Sequence, residues 1–192
     1  MDMKLYLVRH GETLGNRGGI IQGQIPGKLS EDGIIQVNRI AKRLQHEKFD
    51  CIYSSDLARA ADTARGIHRY HLHTPLVFVK ELRERNFGPY EGKVSKEVGL
   101  DWENLPPEVE STEAMEKRMK SHLDKAYATY PDGSILFVSH GGALNALFHA
   151  ITNRAPDETS FLSFRNTSIT ILEITEDKDH TVHLLNCVKH LE

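Results

Sequence analysis

Apolar residues in this chain fall into two patterns that alternate along its length. Leu5-Tyr6-Leu7-Val8, Cys51-Ile52-Tyr53, Leu76-Val77-Phe78-Val79 and Ile135-Leu136-Phe137-Val138 are short unbroken runs. Unbroken runs of this length predict strands covered on both faces. Between them lie stripes at helical spacing: Ile34, Val37, Ala41 and Leu44; then Leu57, Ala60, Ala61, Ala64 and Ile67; then Met115, Met119, Leu123, Ala126 and Tyr130. Each stripe predicts an amphipathic helix with one face on a core. Ser30, followed by Glu31 and Asp32, caps the first, which the pattern extends to Lys48. The second runs from about Leu57 to Tyr70, and Pro131-Asp132-Gly133 ends the third. A further helix is predicted over Ala143 to Ile151, and residues 168–175 and 181–188 read as a closing hairpin.

Alternating strands and helices imply an α/β fold: a three-layer α/β/α sandwich whose central sheet is mainly parallel, with one antiparallel strand. No internal repeat or low-complexity linker interrupts the chain, so residues 1–192 read as one domain. The stretch 93–111, with Gly99, Pro106, Pro107 and five acidic residues, reads as an irregular cap holding one short helix.

The polar residues that end the strands carry the chemistry. The first strand ends in Arg9-His10-Gly11, the second in Ser54-Ser55-Asp56 with Arg59 just behind, and the most apolar in Ser139-His140-Gly141. A fourth polar stretch, around Glu84, comes after the third strand. In a parallel sheet these ends share one edge, where α/β proteins bind ligands. Arg59 lies in the first turn of a helix, next to the positive end of its dipole, a position that makes sense for a cation only if an anion lies between them. Two arginines, two histidines and a carboxylate at one edge form a receptor for a dianion, with a nucleophile or base inside it.

Composition narrows the partners. A net charge of −3 gives no electrostatic case for nucleic acid or an anionic membrane. No apolar run approaches the roughly 20 residues of a membrane span. The N-terminus shows no leader, and Cys51 and Cys187 each lie in an apolar run, which suits free thiols and a cytoplasmic protein. His68, His71 and His73 run off a helix toward Pro75 without a cysteine or carboxylate at ligand spacing, so no metal site is expected there. Met115 and Met119 read as core, and Trp102 as a satellite contact in the cap.

Leu7-Val8-Arg9-His10-Gly11-Glu12-Thr13 with Asn16 resembles the signature of the histidine phosphatase superfamily, the phosphoglycerate mutase-like fold. Gln22-Gly23 with Leu29-Ser30, Gly33 and Gln36 is similar to that family's loop and first helix, and Tyr53 to Ala60 with Thr63-Ala64 to its second block. Glu81 to Gly88 with Glu91-Gly92, and Val138 to Gly142, resemble the remaining two blocks. The blocks occur in the family's order over most of the chain. The resemblance implies a metal-independent phosphatase acting on a small phosphomonoester without a cofactor. His10 would be the nucleophile that forms a phosphohistidine, and Glu84 the general acid. Arg9, Arg59 and His140 would form the phosphate pocket, with Asn16, Gln22, Gly23 and Gly141 lining it, and His140 carrying charge once the dianion is bound. The resemblance also admits a cofactor-dependent phosphoglycerate mutase or a phosphate-binding scaffold. Residues 93–110 hold none of the arginines typical of mutases, which favours transfer to water. Three departures stand out. Gly15 is expected to loosen Asn16, residues 24–27 lack an aspartate often found there, and Val109 stands where glycine is common. Whether the protein is a monomer or a homodimer is open on the sequence.

Overall fold

The computed structural model describes residues 2–102, 104–152, 163–176 and 180–192. Its strands are β1 (Asp2–Arg9), β2 (Cys51–Ser55), β3 (Leu76–Val79), β4 (Ser134–Ser139), β5 (Ile169–Thr175) and β6 (Thr181–Cys187). Its helices are α1 (Leu14–Arg17), α2 (Glu31–Leu44), α3 (Ala58–His68), α4 (Ser95–Val98), α5 (Thr112–Thr129) and α6 (Gly141–Thr152). The strands form one sheet in the order β3-β2-β4-β1-β5-β6. β1, β2, β3 and β4 run parallel, and β5 lies antiparallel between β1 and β6. This is the sheet expected from the alternation of runs and stripes. The closing hairpin is β5 and β6, and residues 177–179 lie outside the described residues.

Both faces of the sheet are covered, which explains why the central strands are unbroken apolar runs. Met3, Leu5 and Leu7 of β1 and Ile135 and Phe137 of β4 pack with Met115, Met119 and Leu123 of α5 and with Leu144 and Leu147 of α6. The alternate residues Tyr6, Val8, Leu136 and Val138 pack with Ile40 and Leu44 of α2 and with Ala60, Ala64 and Ile67 of α3. Period-two alternation thus feeds two cores from one strand. Phe137 is fully buried, and its replacement by alanine is expected to cost about 3–5 kcal/mol.

The first stripe needs a correction. Ile34 is half exposed, and the buried seam of α2 runs through Gly33, Val37, Ile40, Ala41 and Leu44. Gly33 belongs to that seam because a Cβ there would lie 2.0 Å from the Glu12 carbonyl oxygen, so α2 can approach the loop after β1 only with glycine. Ile34 is one residue off the seam and turns outward. α2 also stops at Leu44 rather than Lys48. Among the described residues between 93 and 111 there is one short helix, α4.

Strand register brings the functional strand ends together. β1 and β4 pair in parallel with Arg9 opposite Ser139, so His10 and His140 leave the sheet side by side. The His10 N–H donates to the Ser139 carbonyl at 3.0 Å, extending the ladder one step past the strands. The Ser139 hydroxyl donates to the Leu82 carbonyl at 2.7 Å, which draws the segment after β3 to the same edge.

Candidate active site

His10 is almost fully buried, and its Nδ1 lies 2.7 Å from the Gly11 carbonyl. A carbonyl can only accept, so Nδ1 carries the proton and Nε2 keeps its lone pair. Burial, then the charges of Arg9 and Arg59, push the ring well below the ordinary histidine range. The arginines therefore keep the imidazole neutral, as the sequence suggested, but burial contributes more. A neutral ring with a free Nε2 is a nucleophile near neutral pH.

Its backbone is held from a direction the sequence did not reveal. The Asn166 amide donates to the His10 carbonyl at 3.0 Å, and the Thr167 N–H donates to the Arg9 carbonyl at 3.0 Å. Thr167 has a φ of 55°, a left-handed conformation that is uncommon for a β-branched residue, and it is fully buried. Strain of this kind persists only where the surroundings fix it, and here it aims one N–H at the end of β1, next to His10. The one hint in sequence was Asn166-Thr167-Ser168, a polar triplet directly before an apolar strand.

Arg59, on the first turn of α3, is 1% exposed. It donates to the Gly23 carbonyl at 2.6 Å and the Ile25 carbonyl at 3.1 Å. Burial brings its pKa down to about 10, against the pull of the Glu84 carboxylate, so it stays cationic at neutral pH. Arg9 is lowered by burial too, and it donates to the Phe164 carbonyl. The His10 and His140 rings lie 5.1 Å apart. His140 is fully buried with Nε2 at 2.8 Å from the Ser55 hydroxyl. Burial, then Arg59, hold it well below the usual histidine range. The pocket as it stands therefore contains a neutral His140, and a charge there needs the dianion. Arg9 Nε, Arg59 Nε and His140 Nδ1 are buried and have no hydrogen-bond partner among the described residues. An unpaired buried polar group costs about 1–3 kcal/mol, which oxygens of an anionic ligand can offset.

Glu84 completes the cluster. Its carboxylate accepts the N–H groups of Arg85 at 2.8 Å and of Gly142 and Ala143 at 3.0 Å, which places it on the first turn of α6. A Cβ on Gly142 would lie 2.6 Å from its Oε1, and one on Gly141 would lie 3.3 Å from the Arg9 guanidinium carbon. The two glycines thus let the acid and the cation sit against the same helix end.

The remaining expected residues form the floor and rim. The Thr13 hydroxyl donates to Gln22 Oε1 at 2.9 Å, and a Cβ on Gly27 would meet both that oxygen and the Arg59 side chain. Gln22 therefore borders Arg59. Gly23 has a φ of 48°, and a Cβ there would lie 2.1 Å from the Glu91 carboxylate, so the loop closes only with glycine. Asn16 is not loosened by Gly15. It closes a capping box with Thr13, and its Oδ1 lies 3.4 Å from the Asn166 amide nitrogen. Gln24, and Glu91 from the same block as Glu84, make contacts that the sequence did not reveal. Glu91 accepts the Gln24 and Phe87 N–H groups, and the Gln24 amide donates to the Glu84 carbonyl at 3.1 Å. Together they tie the Gln22–Gly27 loop to the acid-bearing segment. Two of the three histidines at or beyond the end of α3 have structural partners: His68 bonds to the Thr74 carbonyl, and His71 packs edge-on against Phe49.

The chain from 5 to 187 matches the histidine phosphatase superfamily, branch 1. It belongs to that family. The metal-independent phosphoserine phosphatase of Arabidopsis thaliana is 32% identical over 190 residues, covering 91% of this chain and 78% of that protein. The adenosylcobalamin/α-ribazole phosphatase of Salmonella typhimurium is 32% identical over 157 residues, covering 76% of this chain and 77% of that one. Among solved structures, a phosphoserine phosphatase mutant from Entamoeba histolytica in complex with phosphoserine superposes with a TM-score of 0.87 at 27% identity, covering 99% and 100% of the two chains. This histidine phosphatase is an enzyme of phosphomonoester hydrolysis, acting on small phosphorylated molecules. Among its described residues, no helix is long and apolar enough to cross a membrane.

Proposed function

We propose that His10 Nε2 attacks the phosphorus of a small alcohol phosphate, forming a P–N bond as the P–O bond to the alcohol breaks. Arg9, Arg59 and His140 bind the phosphoryl oxygens and neutralise charge as the reaction proceeds. Glu84 gives its proton to the leaving alkoxide. Its carboxylate then takes a proton from the water that attacks the phosphohistidine, and inorganic phosphate leaves. Asn16, Gln22, Gly23 and Gly141 shape the pocket around the anion. The observation that carries this reading is the tautomer of His10: its bond to the Gly11 carbonyl directs the lone pair to Nε2.

Phosphoserine and the phosphate esters of alcohols of similar size are the substrate class we favour, because relatives named as phosphoserine phosphatases cover nearly the whole chain. Residues 93–110 hold no arginine, which favours transfer to water over a mutase, and Arg85, which stacks over Trp102, is engaged by the Glu110 carbonyl at 2.6 Å and the Thr112 hydroxyl at 3.0 Å. In the same reading the chain is one catalytic domain with residues 93–111 as its cap. It works in the cytosol, where Cys51 and Cys187, both free, stay reduced. The test is kcat/KM across phosphoserine, sugar phosphates, α-ribazole phosphate and 3-phosphoglycerate, with and without EDTA. Phosphoserine is expected to rank high and EDTA to change nothing. Loss of turnover in EDTA, or 2-phosphoglycerate as the main product from 3-phosphoglycerate, would contradict the proposal.

A further inference from the structure

Arg118 lies in the middle of α5, far in sequence from every pocket residue, yet all five of its N–H donors serve the neighbourhood of Glu84. Nε donates to Glu110 Oε1 at 2.6 Å and Nη2 to Glu110 Oε2 at 2.8 Å. Nη1 donates to the carbonyls of Glu81 and Arg83, both at 2.7 Å, and Nη2 to the carbonyl of Glu84 itself at 3.2 Å. One planar guanidinium therefore fixes three carbonyls within four consecutive residues, an arrangement that suits arginine and that lysine cannot reproduce. The helix beneath it is a firm base, since Met115 and Met119 on either side of Arg118 are buried in the core. Glu110 closes the fork from the far end of the cap. It accepts the Asn86 N–H at 3.2 Å, and its own N–H donates to the Asn86 carbonyl at 2.8 Å.

We infer that Arg118, held by Glu110, is the positioning residue for the general acid: it sets the backbone from which Glu84 reaches the leaving oxygen. The inference rests on the role proposed above for Glu84. Arg118 touches no reacting atom, so its effect passes through the placement of the carboxylate. Misplacing a catalytic group by about 1 Å can cost about a hundredfold in rate. A loop anchor without this role would slow every substrate equally. A positioning residue for the acid matters only where the leaving group needs a proton.

The experiment compares kcat/KM for the alkyl monoesters phosphoserine and glycerol 2-phosphate with that for p-nitrophenyl phosphate, whose leaving phenolate needs little protonation. In Arg118→Met, the alkyl substrates are expected to lose roughly 30–100-fold, and p-nitrophenyl phosphate less than about threefold. Arg118→Lys and Glu110→Gln, which disturb the fold less, are expected to show the same selectivity at smaller size. Glu84→Gln serves as the reference and is expected to lose about a hundredfold or more on the alkyl esters, with a much smaller loss on the aryl ester. Equal losses on both substrate classes in folded Arg118 and Glu110 variants, beside a selective Glu84→Gln, would overturn the inference and leave the role of Glu84 intact. Equal losses in Glu84→Gln itself would remove the acid assignment and the inference with it.

Discussion

At the residue scale the site is a set of titratable groups whose pKa values burial has lowered, with the arginines still cationic and the two histidines neutral. Arg59 shows how one side chain can hold both the loop and the ligand. Its guanidinium grips the Gly23 and Ile25 carbonyls while its charge faces the Glu84 carboxylate and the two histidines. Arg59→Lys keeps the charge and loses the fork, so kcat/KM should fall by about a hundred- to a thousandfold. Steady-state kinetics on a folded variant checks this, and near-normal turnover would count against the pocket. The histidines make a second prediction. Folded, His10 and His140 are held below the ordinary value, whereas in the unfolded chain they titrate near 6.5. Below that pH the unfolded chain takes up protons that the native pocket refuses. Stability is thus fully present above about pH 6.5 and is lost as the pH falls, by up to about 1.4 kcal/mol per pH unit for each histidine. The Tm should drop between pH 7.5 and 5.5, and His140→Asn should flatten that slope in the ligand-free protein. An unchanged slope would contradict the assignment.

At the element scale, strand ends and helix starts bring the residues together, and much of this was legible in the sequence. The apolar runs located β1, β2, β3 and β4, and the polar groups directly behind them supplied Arg9, His10, Arg59, Glu84 and His140. Cross-chain ties were not legible. Nothing in the order of residues says that Arg118 of α5 spans three carbonyls around Glu84, or that Asn166 bonds to the His10 carbonyl. Such bonds depend on packing between elements, and periodicity does not encode it. The seam of α2 was misplaced by one residue for a related reason: Gly33 is buried by the close approach of the Glu12 carbonyl, which no hydrophobicity pattern records. The start of α6 yields a prediction that separates stability from activity. Gly142→Ala adds a good helix former, worth up to about 1 kcal/mol, and its Cβ would crowd Glu84 Oε1. The variant should keep or raise the Tm while losing about tenfold or more in kcat/KM on alkyl phosphates, since the acid must move. Thermal melts and phosphate release on the same preparation check both halves.

At the scale of the whole molecule, one sheet covered on both faces brings His10, Arg9, Arg59, His140 and Glu84 to a common edge. Arg9 pairs with Ser139 in register, so the two histidines emerge together, and the antiparallel β5 comes directly after the Asn166–Thr167 turn that braces Arg9 and His10. Two cores, one on each face, give this edge a stiff backing, which preorganised charge stabilisation requires. Three cationic or hydrogen-bonding side chains around the phosphoryl group account for charge stabilisation in this mechanism, so full activity in EDTA is expected.

The central claim is that His10 carries the phosphoryl group, and rapid-quench labelling tests it most directly. The enzyme is mixed with 32P-labelled substrate, quenched in alkali within a turnover, digested and sequenced by mass spectrometry. The account predicts an acid-labile, alkali-stable phosphoryl group on the peptide containing His10, and none in the folded His10→Ala variant. Turnover without any such intermediate, or label retained in His10→Ala, would contradict it.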